Sequence, residues 1–521
     1  MSSVSAIFDK ISSKDKDLRY MATSDLLNGL QKESFAMNAE SEKKVCQVVL
    51  QQMEDASGDI SNLAVKCLVP LAKRATDASF EEIVNGLCDK LLNSAKEPQR
   101  DIGSIGLKTV VSEISSTDTA SGFVKKLTPK LITYLNSSGG IPDVKSECLD
   151  IIQEEAQRFG IHMTSLHEPL KDCLLPQLCN TRAGLRKRAI LCTASIAASM
   201  PDVMLVGVCE HAISGLADKT KKPDITRTYV QMIGALSRSV GYRFGKYLPA
   251  VVPVLMEYCN AAAEGDDEMR ENVLQGLESF VLRCPREVTP FLEAILAICL
   301  EYLKYDPNFS GDADEEDEDM ECSDDEDADE ESEDEYSDDE DSSWKTRRAA
   351  ARCLTAIITS RPELLGQMYA QACPLLISRL REREESVKSD IFNVLIDLLR
   401  TTGAASKKPE GTSALTLLSG VVGNLIKESK KQVKEKSLKT KVAVFLLWKE
   451  LVMALPNGLQ DHIAGIVPSL EKALSVSVLV LCIAPPEAAS TFEGNAMLLD
   501  FVPQRSLKRV FPAVAEVQRG S

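Results

Sequence analysis

Four side chains between residues 162 and 179 are of the kinds that hold zinc: His162, His167, Cys173 and Cys179. Imidazole and thiolate ligands must converge on one point to make a tetrahedral centre. Spacings of five, six and six residues instead scatter the four around a helix, whose faces recur every three or four positions. No metal site is expected from them. Only two further histidines exist, His211 and His462, and the chain lacks a GxxxxGKS or GxxxxGKT phosphate loop, a GxSxG elbow and an HExxH pair. Those are the patterns by which phosphate-binding, acyl-transfer and zinc-hydrolase chemistry is recognised. The expectation is therefore no catalytic residue, no cofactor-binding residue, no metal and no enzyme.

What the chain carries instead is a repeat. A short pattern of Asp or Ser, an apolar residue, then Arg or Lys places its central residue at Leu18, Ile60, Ile102, Val144, Leu185, Ile225, Met269, Thr346, Val387 and Leu438, Thr346 being the polar exception. The steps are 42, 42, 42, 41, 40, 44, 77, 41 and 51 residues. A period in this range is the signature of paired-helix repeats of the HEAT or armadillo kind. Residues four and eight positions after each anchor are almost all apolar, as one buried helix face requires; Thr193 alone breaks the second row. Asp17, Asp59, Asp101, Asp143, Asp224, Ser386 and Ser437 precede the anchors and are expected to be N-caps. Arg19, Lys145, Arg186, Arg270, Arg347, Lys388 and Lys439 follow them, and suggest a polar ladder between repeats.

A second apolar segment with Pro near its start precedes several anchors: Leu127 to Leu135, Leu248 to Met256, Val288 to Leu303 and Met368 to Leu380. These read as the outer helices of the pairs, since Pro is tolerated in a helix's first turn. Alternating apolar and polar runs bounded by hairpin dipeptides do not recur. The expected fold is all-α: a HEAT-repeat (armadillo-like) superhelical solenoid of about ten helix pairs plus a partial eleventh, with one disordered acidic insertion. Residues 1–310 would hold repeats 1 to 7 and the start of repeat 8, 311–341 the acidic loop, 342–474 the remaining repeats, and 475–521 a divergent, irregular tail. Met1 to Lys10 lacks a basic segment followed by an apolar one, so no signal peptide is read there. No apolar run approaches the ~18 residues of a membrane span. Fifteen cysteines without a repeated CxxC suit a reducing interior.

The insertion runs from Asp312 to Asp341 with 22 Asp or Glu and no Lys or Arg, so the net charge of −18 becomes +4 without it. It also accounts for the step of 77. So many like charges with so little apolar content cannot offset the entropy of ordering. Such a loop would act as a solvated tether, or as a lure for basic partners or a cover over the chain's own basic body. Ser323, Ser332 and Ser337, each followed by acidic residues, are candidate phosphorylation sites. At the other extreme, Lys427, Lys430, Lys431, Lys434, Lys436, Lys439 and Lys441 cluster against only Glu428 and Glu435. No aromatic residue interleaves with them, which argues against nucleic acid.

The stretch KDKDLRYMATSDLL at Lys14 to Leu27 resembles the opening repeat of the cullin-associated, neddylation-dissociated protein family. LAVKCL at Leu63 to Leu68, ITRTYVQMIGALSRSVGYRFG at Ile225 to Gly245, EYLKYDPNF at Glu301 to Phe309, WKTRRAAARCL at Trp344 to Leu354 and REREESVKSDIFN at Arg381 to Asn393 extend the likeness, which covers about residues 1 to 474. The resemblance implies a scaffold that wraps an unmodified cullin and its RING subunit. It would hinder neddylation of the cullin, and take part in SCF complex assembly and substrate-receptor exchange, in nucleus and cytoplasm. No small-molecule substrate, nucleic acid or membrane is implied, and the partner-binding residues are unknown. A nuclear-transport receptor of the importin-beta type is the alternative, because that class also combines helix-pair repeats, negative charge and an acidic loop. After His462 to Leu474, which reads as an outer helix, SVSVLVLCIAPPEAAS offers no cap and two prolines. The solenoid is thus expected to be cut mid-repeat, with adaptor displacement in doubt.

Overall fold

In the computed structural model the described residues are 4–32, 35, 37–114, 117–263, 265–306, 342–407, 412–456 and 458–469. Their regular structure is entirely helical. The acidic insertion with Ser323, Ser332 and Ser337, and the tail from 475, lie outside them. Ten pairs of a first (A) and second (B) arm follow one another. They are α1 (Val4–Ile11) with α2 (Lys16–Leu30), α3 (Ala39–Gln52) with α4 (Gly58–Arg74), α5 (Asp77–Asn93) with α6 (Glu97–Glu113), and α7 (Thr117–Leu135) with α8 (Pro142–Phe159). Next come α9 (His167–Leu174) with α10 (Ala183–Ser199), α11 (Asp202–Ala217) with α12 (Pro223–Val240), and α13 (Leu248–Asn260) with α14 (Asp267–Arg283). The eighth pair is α15 (Leu292–Lys304) with α16 (Ser343–Ser360). In the ninth the A arm breaks into α17 (Leu365–Gln367), a π-helical stretch and α18 (Cys373–Ser378), before α19 (Glu385–Ser406); α20 (Thr412–Val433) and α21 (Leu438–Ala454) make the tenth. A further helix starts at 463.

Packing divides the chain into two units, one of Met1–Ala262 with Gln275–Thr289 and one of Ala263–Leu274 with the residues from Pro290 on. In each, B helices pack on the next B helix and on their own A arm. The rows anchored in the sequence form that seam: Ile60, Ala64 and Leu68 on α4, Val144, Cys148 and Ile152 on α8, and Val387, Ile391 and Leu395 on α19 are all buried. The polar intruders are satisfied. Thr193 donates to the Ala189 carbonyl one turn back at 2.7 Å, and Thr346 reaches the Asp267 carbonyl at 3.4 Å. Tyr229 is the bulky exception in a row of small residues, and Gly215 on α11 makes room, since a Cβ there would lie 2.1 Å from the ring.

Three sequence expectations are corrected. Of the seven N-caps, only Ser437 holds, accepting from the Thr440 N–H at 3.3 Å. The caps of the other helices are Asp15, Ser57, Lys96, Ile141, Lys222 and Glu384. Pro142 and Pro223 start α8 and α12, with φ already helical, one residue ahead of Asp143 and Asp224. The carboxylates therefore sit inside the first turns, where the helix dipole favours them. Two anchors are themselves exposed: Leu18, whose row is carried by Ala22 and Leu26 one and two turns on, and Leu438, 48% exposed, where the buried row of α21 is Thr440, Val444 and Trp448; in α21 the anchor is displaced by two residues because the pattern matched a cap-proximal Leu. Pro129 lies well inside α7, not near its start.

Five of the seven cations after the anchors bind carbonyls at the end of the A arm before them; Lys388 and Lys439 meet side chains instead. Arg19 reaches the Ser13 and Lys14 carbonyls at 3.0 Å, Lys145 those of Leu135 and Ser137 at 3.1 and 2.6 Å, and Arg186 that of Asn180 at 2.9 Å. Arg270 reaches the Ala263 carbonyl at 3.0 Å and Arg347 that of Tyr305 at 3.1 Å. Helix C-termini leave such acceptors unpaired, and a cation there also meets the negative end of the dipole. Five of the ten A-to-B turns are thereby stapled. Onward links join repeats: Arg19 to Asp55 at 2.6 Å, Arg186 to Thr228 at 3.0 Å, Arg347 to Glu382 at 3.2 Å and Lys388 to Glu435 at 2.7 Å. The Arg19 hydrogen bond holds the Asp55 carboxyl below the usual range.

Candidate protein-docking surface

The B helices bury one face in the seam and leave another in solvent. In the first unit this free face begins with apolar groups on α2, Leu18, Tyr20 and Met21, of which Met21 is 57% exposed. Ile105 on α6 and Leu191 on α10 are half exposed as well. Charged rungs cross from helix to helix between them. Lys108 on α6 meets Glu147 of α8 at 2.8 Å, and Asp150, one turn on, meets Arg188 of α10 at 3.0 Å. Burial pushes the Glu147 carboxyl up, but hydrogen bonds from Lys108 and Ser104 bring it below its ordinary value. In the second unit Arg348 and Arg352 share Asp390 at 2.8 and 3.4 Å, and Arg400 joins Asp397 and Glu450 at 3.3 and 3.2 Å. Solvent-facing pairs of this kind contribute about 0.2–1 kcal/mol each. Their value is a fixed pattern of sign that a partner can match, with aromatic and apolar groups as anchors.

The zinc-like set is not brought together. His167 is buried with Nε2 3.2 Å from the Ser199 hydroxyl, Cys173 is buried facing the Ile132 carbonyl, and Cys179 is exposed, 3.6 Å from the Tyr229 hydroxyl. Among the described residues no group of three or more His, Cys, Asp or Glu is placed to hold a metal ion. Cys179 is also the one exposed thiol among the described cysteines; burial pushes Cys46, Cys67, Cys88 and Cys373 up to about 12, so they stay protonated. The lysine cluster falls on the end of α20 and the start of α21. Lys431 pairs with Glu428 at 3.3 Å and Lys439 with Glu385 at 3.5 Å, while Lys427, Lys430, Lys434, Lys436 and Lys441 have no ion pair among the described residues. No described helix is long and apolar enough to cross a membrane.

A second set of arginines escaped the sequence reading. Arg74 at the end of α4 holds the Leu30 and Lys32 carbonyls at 3.0 and 2.9 Å; Arg158 in the last turn of α8 holds the Ile114 carbonyl at 3.1 Å; Arg243 holds that of Met200 at 2.5 Å. Each thus closes the B helix of the preceding repeat. Their signal, a cation 14 to 18 residues after the anchors Ile60, Val144 and Ile225, is too irregular to find by period alone.

Successive helix pairs, several of them stapled at their turns, define a HEAT-repeat fold, and comparison with solved structures agrees. The chain is similar to a solved complex of Kap95 with Nup1 (TM-score 0.65, 15% identity, 91% of this chain and 54% of that one) and to yeast importin-beta (TM-score 0.61, 16% identity, 91% and 55%). At such identities the likeness concerns fold alone. By sequence, it is 49% identical over 477 residues to cullin-associated NEDD8-dissociated protein 1 of Arabidopsis thaliana, covering 91% of this chain and 39% of that protein. It is 40% identical over 484 residues to the Dictyostelium discoideum protein of that name, covering 90% and 39%, and 39% identical over 507 residues to cullin-associated NEDD8-dissociated protein 2 of the mouse, covering 95% and 40%. No family model matches the chain. The chain belongs to the cullin-associated NEDD8-dissociated family, and it spans about two fifths of the length of the curated relatives it matches.

Proposed function

We propose that the chain binds an unmodified cullin together with its RING subunit, hinders attachment of the ubiquitin-like modifier to that cullin, and through this takes part in SCF complex assembly and substrate-receptor exchange, as far as a cullin-binding portion can. The observation that carries the reading is the 49% identity to a relative named for cullin association, sustained over 91% of the chain. The mechanism is exclusion by outline, requiring no catalytic group or cofactor. Stapled turns keep the free face of the B helices fixed, so a bound partner is covered without a large ordering cost. We place the protein in nucleus and cytoplasm on the same reading.

The test is co-purification of the full chain with an unmodified cullin–RING pair and, in parallel, with the modified pair. Retention of the first and loss of the second is the expected result; no retention of the unmodified pair at low salt removes the proposal. The importin-type alternative has the fold in its favour and lacks sequence support, and a clean failure to bind a GTP-loaded Ran-type GTPase disposes of it.

A further inference from the structure

The first unit carries a second surface, apart from the free face of the B helices: the edge where those helices end. After α8, α10 and α12 the second residue of the following element is a large apolar side chain standing in water. Ile161, after α8, is 84% exposed; Val203, after α10, is 87% exposed; Tyr242, after α12, is 77% exposed. They fall 17, 18 and 17 residues after the anchors Val144, Leu185 and Ile225, so they are the same structural position in three consecutive repeats. Single exposed apolar residues need no explanation, but a row in register does.

The row is held still. Arg158 and Arg243 staple the turns beside Ile161 and Tyr242 to the carbonyls of the preceding repeat, Arg243 also meets Asp202 at 2.8 Å, and the Ser237 and Ser279 hydroxyls join α12 to α14 at 2.9 Å. Its surroundings are basic. Lys246, Arg283 and Arg286 are exposed and have no ion pair among the described residues; of the acidic groups beside the row, Asp202 is held by Arg243 and Glu287 lies against Gly245. Helices packed side by side lie about 8–10 Å apart. That matches one turn of a polyproline II segment, three residues at about 3.1 Å each, which returns every third side chain to one face.

We propose that this edge docks an extended, acidic segment of a partner protein that presents an apolar side chain at every third position. Ile161, Val203 and Tyr242 would take the apolar groups, and Lys246, Arg283 and Arg286 the intervening carboxylates. Ile and Val offer no stacking platform, which favours a peptide over a nucleic acid.

The test is selection of a displayed random-peptide library on the full chain, with counter-selection on the I161S/V203S/Y242S variant, followed by fluorescence anisotropy of the selected peptides. Enrichment of acidic sequences with apolar residues three apart is expected. Their Kd should rise at least tenfold in the triple serine variant and in K246E/R283E/R286E, and stay unchanged in Y20S/M21S on the B-helix face. All substituted side chains are exposed, and unchanged melting temperatures verify folding. Three results overturn the proposal: no enrichment over the counter-selected variant; a labelled single-stranded oligonucleotide that binds with the same dependence on these six residues; or concentration-dependent self-association lost in the triple variant, which assigns the edge to a second copy.

Discussion

Glu155 on α8 is wholly buried, and among the described residues its carboxyl has one partner, the Thr128 hydroxyl at 2.9 Å, and Oε1 none. Burial raises its pKa to about 8. A folded-state value above the unfolded one means that the native protein binds the extra proton between the ordinary carboxylate range and pH 8, so this group lowers stability as pH rises through that window. Denaturant melts from pH 5 to 8 are expected to lose up to ~1.4 kcal/mol per pH unit from this source, and Glu155→Gln to flatten the slope. Arg347 is a buried cation of the opposite kind, well paired with Glu382 and the Tyr305 carbonyl. Arg347→Ala leaves the buried Glu382 to Arg379 alone and frees the Tyr305 carbonyl, and should cost about 1–3 kcal/mol in urea melts, against less than ~0.5 for Lys16→Ala, whose partner Asp59 is solvent-facing. If Tyr20 and Met21 anchor a cullin, Y20A/M21A weakens co-purification about tenfold or more with no change in melting temperature. The cations after the anchors were visible in the sequence as a row. Their acceptors were not, because a backbone carbonyl freed by a helix end has no residue type to mark it.

The helix pairs themselves were readable because burial of one face imposes a period, and the period survives wherever the seam is continuous. Helix starts were less readable: Asp and Ser serve equally as a cap or in the first turn, and the choice was made by Pro142 and Pro223, which fix the chain one residue earlier. Close approaches were invisible too. Gly103 brings α6 against α5 so tightly that a Cβ would lie 2.6 Å from the Leu91 nitrogen and 2.8 Å from the Leu87 carbonyl oxygen. Backbone cannot yield as a side chain end can, so Gly103→Ala should destabilise by about 1–3 kcal/mol. Gly207 on α11 has nothing within 4 Å of its would-be Cβ, and Gly207→Ala should stabilise by up to ~1 kcal/mol through helix propensity. Thermal melts of the pair separate packing from propensity.

Stacked repeats meet only their neighbours, so damage should stay local. Hydrogen exchange of Arg347→Ala is expected to speed up in α15, α16 and α19 while α4, α6 and α8 keep the rates of the parent protein. A uniform rise would mean one cooperative transition instead. The charge of the whole chain is equally uneven: 22 of its 78 acidic residues fall in thirty positions, so salt should screen it unevenly too. The step from α15 to α16 has a practical side. Arg347 grips the Tyr305 carbonyl on one flank, while Ser342 meets the Asp267 carboxylate at 2.8 Å and Thr346 the Asp267 backbone on the other. The two flanks are clamped to each other whatever the length of chain between them. A fluorescent reporter or an affinity handle can be spliced into that gap, leaving both ends of the chain free for the experiment.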